Sequence, residues 1–346
     1  MPTSRRHRSL PLVAIGSGRA GGQASLSEIG EFGFLERLRR LRIPRRGVEL
    51  GIGDDCAVVR AGRRRLLLTT DALVENVHFR WAWDTPAGLG QRAFAVNASD
   101  IAAMGGAPRF ALLSIVAPRT ARIARLEGIV RGFVAAARES GCALVGGNLS
   151  AGPHWMISVT LVGEPFGTPL RRSGARAGDH VYVSGVLGAA AFGREILLRR
   201  RRGSPRQTLA FRRPRARLDV GEMLARTRSA SAAIDLSDGL VSDLGHVCRA
   251  SRVGALIDPE KLPFAPPLLR LAKDERLALA LGGGEDYELL FTIPPGRVRR
   301  LEESARARSL AVTNIGRVTR GRGIRLAGAS RPSSAVFAGG FDHFRR

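Results

Sequence analysis

Lysine is almost absent from this 346-residue chain, since Lys261 and Lys273 are the only two among 55 lysine and arginine residues. The formal net charge of +25 is therefore carried by arginine, and it reflects a coding preference as much as a functional surface. Such a charge would otherwise suggest a nucleic-acid partner. The densest basic stretch, residues 199–215, has few aromatic residues and lacks the stacking platform of a single-strand binder. We interpret it as a solvated loop and expect no nucleic-acid partner.

Cysteine and long apolar runs are also scarce. Cys56, Cys142 and Cys248 are widely spaced and form no Cys-x-x-Cys pair, which argues against a disulfide framework or a zinc site. Buried thiols in a reducing cytoplasm fit this pattern, so we expect a cytoplasmic protein. No apolar run approaches the roughly 20 residues that span a bilayer, and no membrane partner is expected.

The N-terminal region resembles a twin-arginine export signal only faintly. Arg5-Arg6 precedes an apolar run over 10–15, which ends at Gly16. The core of an export signal has roughly 7 to 15 apolar residues, so this run is too short. We predict that residues 1–28 form a disordered extension, or that the start site was assigned too early.

Two common nucleotide-binding signatures are missing. There is no Gly-x-x-x-x-Gly-Lys-Ser/Thr sequence, which excludes a P-loop enzyme at the level of motifs, and the protein-kinase motifs are missing too. If this chain handles nucleotide phosphate, the charge must be neutralised by metal held on carboxylates, by backbone amides at glycine turns and by arginine.

Short clusters of carboxylates are the feature that is present. Carboxylates gathered on glycine turns repel each other unless divalent cations lie between them, and hard oxygen ligands suit magnesium. More than one ion is expected from so many acidic positions. The clusters are Gly53-Asp54-Asp55, Thr69-Thr70-Asp71, Asn97-Ala98-Ser99-Asp100, Asp235-Leu236-Ser237-Asp238-Gly239 and Gly283-Gly284-Glu285-Asp286-Tyr287.

Hydrophobic periodicity predicts alternating helices and strands in two domains of α/β (α+β) class, residues 29–165 and 166–346. In open α/β sheets ligands bind at the carboxyl ends of strands, where the acidic turns would lie. The predicted helices cover 31–41, 89–104, 123–138, segments between the strand that ends at residue 184 and about residue 228, and a segment from 239. The predicted strands cover 65–70 with Asp71 at its end, 110–116, 143–145, 155–162, 180–184, 232–234, 288–293 and 312–318, with a linker over 163–178.

Each motif has an ordinary structural alternative. Gly53-Asp54-Asp55 can be a simple turn, and Ser237 or Asp238 can cap the helix that follows. Asn97 and Asp100 can lie on a solvated helix face. His78 can be a satisfied histidine and Phe341 a core residue. As a set, the motifs are far more specific than their parts.

Five motifs in one order resemble the thiamine-monophosphate kinase family, and the likeness runs from about Gly30 to Phe344. They are Gly51-Ile52-Gly53-Asp54-Asp55-Cys56-Ala57, Thr70-Asp71 through His78-Phe79, Ala95-Val96-Asn97 through Met104-Gly105, Ala233 through Leu240, and Gly283-Gly284-Glu285-Asp286-Tyr287-Glu288-Leu289. The resemblance implies a two-domain fold shared with aminoimidazole ribonucleotide synthetase, a homodimer formed by pairing of the N-terminal sheets, and transfer of the ATP γ-phosphoryl group to thiamine monophosphate.

The resemblance also implies roles for individual residues. The magnesium ligands would be Asp55, Thr69, Thr70, Asp71, Asp100, Asn148, Asp235 and Asp238. ATP would contact Gly147, Asn148, Arg172 and Ser237, and thiamine monophosphate would contact His78, Glu285 and Phe341. No side chain is expected to act as a general base, because the acceptor is an ionised phosphate.

One position departs from the family pattern, since Gly146-Gly147-Asn148 stands where Gly-Gly-Asp is usual. An amide oxygen can ligate magnesium but supplies no charge, so this metal position would be weaker. Two alternatives stay open: another ATP-dependent enzyme of the same superfamily with a different acceptor, and a basic nucleic-acid-binding protein, which leaves the acidic turns unexplained.

Overall fold

The computed structural model describes residues 25–39 and 46–328, so Phe341 lies outside the described residues. The described residues up to Gly47 belong to one compact unit, and those from Val48 onward to another. In the first unit, helix α1 covers Leu26–Arg39. It begins within the range predicted to be disordered, because the backbone N–H and hydroxyl of Ser25 both donate to the Glu28 carboxylate and fix the first turn.

The first sheet of the second unit has six strands in the order β1-β2-β3-β6-β4-β5. Only β4 and β5 run parallel, and every other neighbouring pair is antiparallel. The strands are β1 Val48–Leu50, β2 Ala57–Ala61, β3 Arg64–Val74, β4 Gly106–Ala117, β5 Ala143–Ala151 and β6 Met156–Pro165. Helices α2, Pro86–Ala103, and α3, Ile123–Glu139, cover one face of this sheet and share its apolar core.

The second sheet has the order β12-β9-β11-β7-β10-β8, and here only β9 and β12 run parallel. Its strands are β7 His180–Ser184, β8 Ala232–Asp235, β9 Gly254–Ile257, β10 Leu289–Ile293, β11 Val312–Thr319 and β12 Gly323–Leu326. The accompanying helices are α4 Ala189–Leu197, α5 Leu209–Arg212, α6 Leu218–Thr227, α7 Leu240–Ser251, α8 Lys273–Gly282 and α9 Val298–Ala307. Helices α7 and α8 pack on one face of the sheet, and α6 and α9 on the other.

Helix α2 lies between the two sheets and joins their cores. Its residues near Leu89 and Phe94 pack in the first core, whereas Ala102 and Ala103 pack with α6 and the second sheet. Small residues allow this double contact, since a Cβ at Gly221 of α6 would lie 2.2 Å from the Ala102 carbonyl oxygen. We call the first sheet with its helices the first half, and the second sheet with its helices the second half. Side chains of α2 are therefore placed at the junction of the two halves.

The α+β character and the helices predicted over 89–104 and 123–138 are confirmed, as is the strand over 180–184. The sheets are mixed and mostly antiparallel, so the rule that ligands bind at the carboxyl ends of parallel strands does not apply to them as a whole. Strand β3 continues past Asp71 to Val74, because the Asp71 backbone pairs with Val159 of β6.

Two segments predicted as loops are packed against the rest of the unit. In the linker over 163–178, the first residues complete β6, and the Arg171 carbonyl oxygen accepts a hydrogen bond from Ala233. The arginine-rich stretch contributes the buried Phe211, and Arg213 donates to Asp84 at 2.6 Å. A solvated loop was the wrong interpretation there, because a nearly buried carboxylate and an aromatic contact tie the stretch to the first half. No helix in the described residues is long and apolar enough to cross a membrane.

Candidate active site

Three aspartates from distant parts of the sequence meet at the junction of the two halves. One carboxylate oxygen from each of Asp55, Asp100 and Asp235 lies within 4.8 Å of the others. Asp55 comes from the glycine turn before β2, Asp100 from the buried helix α2, and Asp235 from the end of β8. Three of the predicted acidic clusters thus form one centre, which we call the acidic centre.

Each carboxylate of the acidic centre has a polar partner. The Thr69 hydroxyl donates to Oδ2 of Asp100 at 2.5 Å, and the Ser99 hydroxyl donates to Oδ2 of Asp235 at 2.7 Å. Arg172 donates from Nε to Oδ1 of Asp55 at 3.0 Å, so its guanidinium bonds the acidic centre directly. Its backbone N–H also donates to Asp54 at 3.2 Å.

The carboxylates of the acidic centre resist ionisation. Burial, followed by the charges of Asp235 and Asp55, raises the pKa of Asp100 well above its ordinary value. Burial and the charge of Asp55 raise the pKa of Asp235 to about 7. Burial also raises the pKa of Asp55, although Arg172 acts in the opposite direction. Three buried carboxyl groups with one guanidinium therefore need further positive charge to ionise together.

An unsatisfied atom shows that the acidic centre fits a cation. Oδ2 of Asp55 is buried and accepts no hydrogen bond from any residue that the structure describes. A buried carboxylate oxygen without a donor is costly, and a hard divalent cation satisfies it. The candidate ligand atoms of Asp55, Asp100 and Asp235 are all carboxylate oxygens, which suit magnesium better than a transition metal.

Asp71 and Asp238 flank the acidic centre and add to its negative field. The charge of Asp71 raises the pKa of Asp100, and that of Asp238 raises the pKa of Asp235. Asp238 also belongs to a second group with Asp243 and His246 of α7, whose ligand atoms all lie within 4.8 Å of one another. Asp243 accepts from the backbone N–H groups of Asp238 and Gly239 and so ties the preceding loop to the first turn of α7. Gly239 is the N-cap residue of α7, so neither Ser237 nor Asp238 caps this helix.

Thr70 and Asn148 lie apart from the acidic centre. Side chains alternate along a strand, so Thr69 faces the helices while Thr70 lies on the opposite, open face of the first sheet. Strand register places Asn148 opposite Ser114 on that same face, where its amide donates to Ser150 at 2.9 Å. The predicted magnesium ligands are thus divided between two faces of the sheet.

Gly147 precedes Asn148 on β5, at a place where only glycine fits. A Cβ there would lie 1.8 Å from the Leu113 carbonyl oxygen, and its φ of +156° is unusual for other residues. The close approach of β5 to β4 therefore depends on the second glycine of the Gly146-Gly147-Asn148 motif.

The Glu285 loop is fastened to the loop that follows β8. The backbone N–H of Glu285 donates to the Ser237 carbonyl oxygen at 2.7 Å. Glu285 has a φ of +64°, a left-handed conformation that costs a non-glycine residue roughly 1 kcal/mol or more. Asp286 instead caps α4 by accepting from Gly188 at 2.8 Å and Ala190 at 3.2 Å, which gives it a structural role.

Sequence reasoning missed Arg92, which joins two of the predicted substrate residues. From the buried side of α2 it donates to the His78 carbonyl oxygen at 2.9 Å and to the Glu285 carboxylate at 2.5 Å. The sequence did contain a signal for this residue. Arg92 is a single cation on the apolar face of a predicted helix, seven residues before Ser99. Ser99 was part of a quoted motif but was given no role.

The matches to known families agree with this architecture. The N-terminal domain of AIR synthase related proteins matches residues 53–164, and the C-terminal domain of the same proteins matches residues 176–328. The two domains carry the two sheets, and the acidic centre lies where they meet. The fold and site therefore define an AIR synthase related protein.

Individual relatives narrow this class. The chain is 37% identical over 326 residues to thiamine-monophosphate kinase of Aquifex aeolicus (strain VF5), covering 92% of this chain and 99% of the relative. It is 38% identical over 324 residues to the enzyme of Escherichia coli (strain K12), covering 91% and 98%. The solved structure of AaThiL complexed with AMPPCP and TMP superimposes with a TM-score of 0.81 at 36% identity, covering 93% and 99%. This chain belongs to the thiamine-monophosphate kinase family, which confirms the resemblance inferred from the motifs.

Proposed function

We propose that this protein transfers the γ-phosphoryl group of ATP to thiamine monophosphate and forms thiamine diphosphate, with magnesium ions held at the acidic centre. The observation that carries the proposal is the convergence of Asp55, Asp100 and Asp235 around a buried carboxylate oxygen that has no donor. Family membership and the related structure with AMPPCP and TMP support the same reaction.

The proposed magnesium ligands fall into two groups, one at the acidic centre and one on the open face of the first sheet. Asp55, Thr69, Asp100 and Asp235 would hold ions at the acidic centre, with Asp71 and Asp238 at its edge. Thr70 and Asn148 would serve a position on the open face. Bound magnesium would neutralise the phosphates of both substrates and stabilise the charge that develops during transfer.

The nucleotide would be bound by two residues at or near the acidic centre and by two residues of β5. Arg172 is suited to contact phosphate because it has several donors in one plane, and only part of them is engaged with Asp55. Ser237 lies in the loop after β8, between Asp235 and Asp238. Gly147 permits the close strand approach that places Asn148, and these four residues are the proposed nucleotide contacts.

The acceptor would bind on the side of Glu285 and His78. Glu285 offers a carboxylate to the cationic end of thiamine monophosphate, and Phe341 is the aromatic contact that the family resemblance implies. Because the attacking oxygen belongs to an ionised phosphate, the residues have to orient two anions in line rather than remove a proton. A phosphate oxygen of thiamine monophosphate would attack the γ-phosphorus as its bond to the β,γ-bridging oxygen breaks. ADP leaves, and the phosphoryl group ends on the phosphate of the acceptor, which becomes thiamine diphosphate.

We further propose that the protein acts as a homodimer in the cytoplasm. On the open face of the first sheet, β4 and β5 expose Phe110 (51%), Leu112 (45%) and Val145 (59%). An apolar patch on an uncovered sheet face is typical of a protein interface. Pairing of two such faces would bury the patch and enclose Thr70 and Asn148 near it.

The direct test is to incubate purified protein with ATP, magnesium and thiamine monophosphate and to measure thiamine diphosphate and ADP in equal amounts. Unphosphorylated thiamine serves as the control acceptor, because an alcohol would require a general base. Absence of product at every magnesium concentration, with folded protein, contradicts the proposal and favours another acceptor.

A further inference from the structure

Arg92 is a buried cation that the phosphoryl-transfer scheme does not use. Its side chain is 2% exposed, whereas the Glu285 side chain that it contacts is 18% exposed. Nη2 donates to Oε2 of Glu285 at 2.5 Å, and Nη1 donates to the His78 carbonyl oxygen at 2.9 Å. One guanidinium therefore bonds both residues assigned to the acceptor, one from each half of the molecule.

The surroundings of Arg92 hold its guanidinium in one orientation. Its central carbon lies 4.1 Å from the centroid of the Phe211 ring, and Phe211 in turn contacts Trp83 edge to face at 6.0 Å. Phe211 is supplied by the arginine-rich stretch, which Arg213 fastens to Asp84. A stacked, planar cation loses little further freedom when it forms its hydrogen bonds.

Glu285 needs such support because its backbone lies in the left-handed region and its side chain projects from a short turn. Nη2 of Arg92 bonds Oε2 of the carboxylate, which leaves Oε1 as the oxygen for a ligand. The same guanidinium fixes the His78 segment, in which Asn76 also has a left-handed φ of +65°. Both residues would otherwise sit on turns without a common anchor.

We propose that Arg92 is the positioning residue of the acceptor site, setting the Glu285 carboxylate and the His78 segment at the separation that thiamine monophosphate requires. This inference rests on the proposed function. Arg92 acts through Glu285 and His78 and does not contact the reacting phosphates. Its removal should therefore weaken acceptor binding while nucleotide binding, which depends on the acidic centre, is retained.

The experiment compares Arg92→Met, Arg92→Lys, Glu285→Gln and the double variant Arg92→Met/Glu285→Gln in steady-state kinetics for both substrates. We expect Arg92→Met to raise KM for thiamine monophosphate about tenfold or more and to change KM for ATP less than about twofold. In the Glu285→Gln background the same change should add little, because residues that act together are not additive. Arg125→Met is the matched control, since Arg125 stacks on Trp81 at 4.6 Å on the exposed side of α3.

The Lys variant decides the question if Arg92→Met does not fold. An ammonium group can keep one hydrogen bond but cannot bridge both partners, so KM for thiamine monophosphate should rise about threefold with KM for ATP unchanged. An unchanged or lower KM for thiamine monophosphate in the folded variant overturns the inference. If the wild-type protein forms no thiamine diphosphate, the proposed function itself fails, and that result is distinct from an active wild type with an unaffected variant.

Discussion

Ser99 and Asp235 lie 136 residues apart in the sequence and are joined by a hydrogen bond of 2.7 Å from the Ser99 hydroxyl to Oδ2 of Asp235. Ser99 belongs to α2, which packs under the first sheet, and Asp235 ends β8 of the second sheet. Both residues are buried. Through this bond, a hydroxyl of the first half orients an acidic-centre carboxylate of the second half. The geometry of the acidic centre therefore depends on how α2 packs.

The first prediction concerns this bond. Replacing Ser99 with Ala removes the donor that favours the ionised form of Asp235, so the pKa of Asp235 should rise further. A hydrogen bond to a charged group contributes roughly 1.5 to 3 kcal/mol, so we expect kcat/KM to fall about tenfold or more. The acidic limb of the pH profile of kcat/KM should move to higher pH. Ser140→Ala, at the end of α3, is the control and should leave that profile in place.

The second prediction concerns magnesium and stability. The pKa values of Asp54 and Asp235 are raised to about 7 in the folded protein, mainly by burial. An acid with a higher pKa in the folded state holds its proton more tightly when folded, so this contribution to stability falls as pH rises from about 4 to about 7. Magnesium should offset the loss. We expect it to raise Tm by several degrees at pH 8 and much less at pH 5.5, measured by thermal unfolding against EDTA.

Asp235→Asn separates the role of charge from that of packing in this measurement. The variant removes one buried negative charge, so its Tm in EDTA at pH 8 should be at or above that of the wild type, while its response to magnesium is reduced. Asp286→Asn is the matched control, because Asp286 also has a pKa raised to about 7 by burial but caps α4. It should retain the magnesium response. An equal magnesium response in wild type and Asp235→Asn would contradict a metal role for Asp235.

The third prediction concerns Asn148, where the family pattern has an aspartate. The Asn148 side chain is exposed on β5, so an added carboxylate there avoids the cost of burial. We expect Asn148→Asp to lower the magnesium concentration that gives half-maximal activity severalfold, because a charged ligand binds a hard cation more strongly. Asn314→Asp, in β11, adds the same charge elsewhere and should have no such effect. An unchanged or higher magnesium requirement in Asn148→Asp speaks against a metal role at this position.

The fourth prediction concerns the exposed face of the first sheet. Replacing Leu112 with Arg places a charge within the apolar patch and should disfavour pairing of two sheets, shifting the protein toward a monomer of 37.1 kDa. Sedimentation or light scattering measures this directly. Leu269→Arg is the control, since Leu269 is similarly exposed (59%) but lies outside the first sheet. A wild-type protein that is monomeric at micromolar concentration removes the basis for the dimer.

The sequence was a good guide to the acidic centre because its three aspartates lie in motifs with strong local character. Asp55 is preceded by a glycine turn, Asp100 occupies a helix with clear apolar periodicity, and Asp235 ends a short buried strand. Aspartates in such settings are unusual enough to be noticed without a structure. The long helices were predicted for the same reason, since periodicity over many residues is a strong signal.

Sequence reasoning was weaker for short elements and for side-chain direction. Two of the four edge strands, β1 and β12, have three and four residues and carry little periodic signal. The alternation of Thr69 and Thr70 across β3 was available in principle, but it became decisive only when the strand was seen to continue past Asp71. The arginine-rich stretch was misread because its anchor, Asp84, lies more than 120 residues away in the sequence.

By itself, the sequence determined the family, the reaction class and the acidic residues that we propose serve it, because these depend on residue types at local spacings. Only the tertiary structure decided which of those residues meet. It brought Asp55, Asp100 and Asp235 together, placed Thr70 and Asn148 on another face, and introduced Arg92 between His78 and Glu285. These outcomes depend on strand register and on the packing of one small-residue helix between two sheets, and neither is encoded within a single motif.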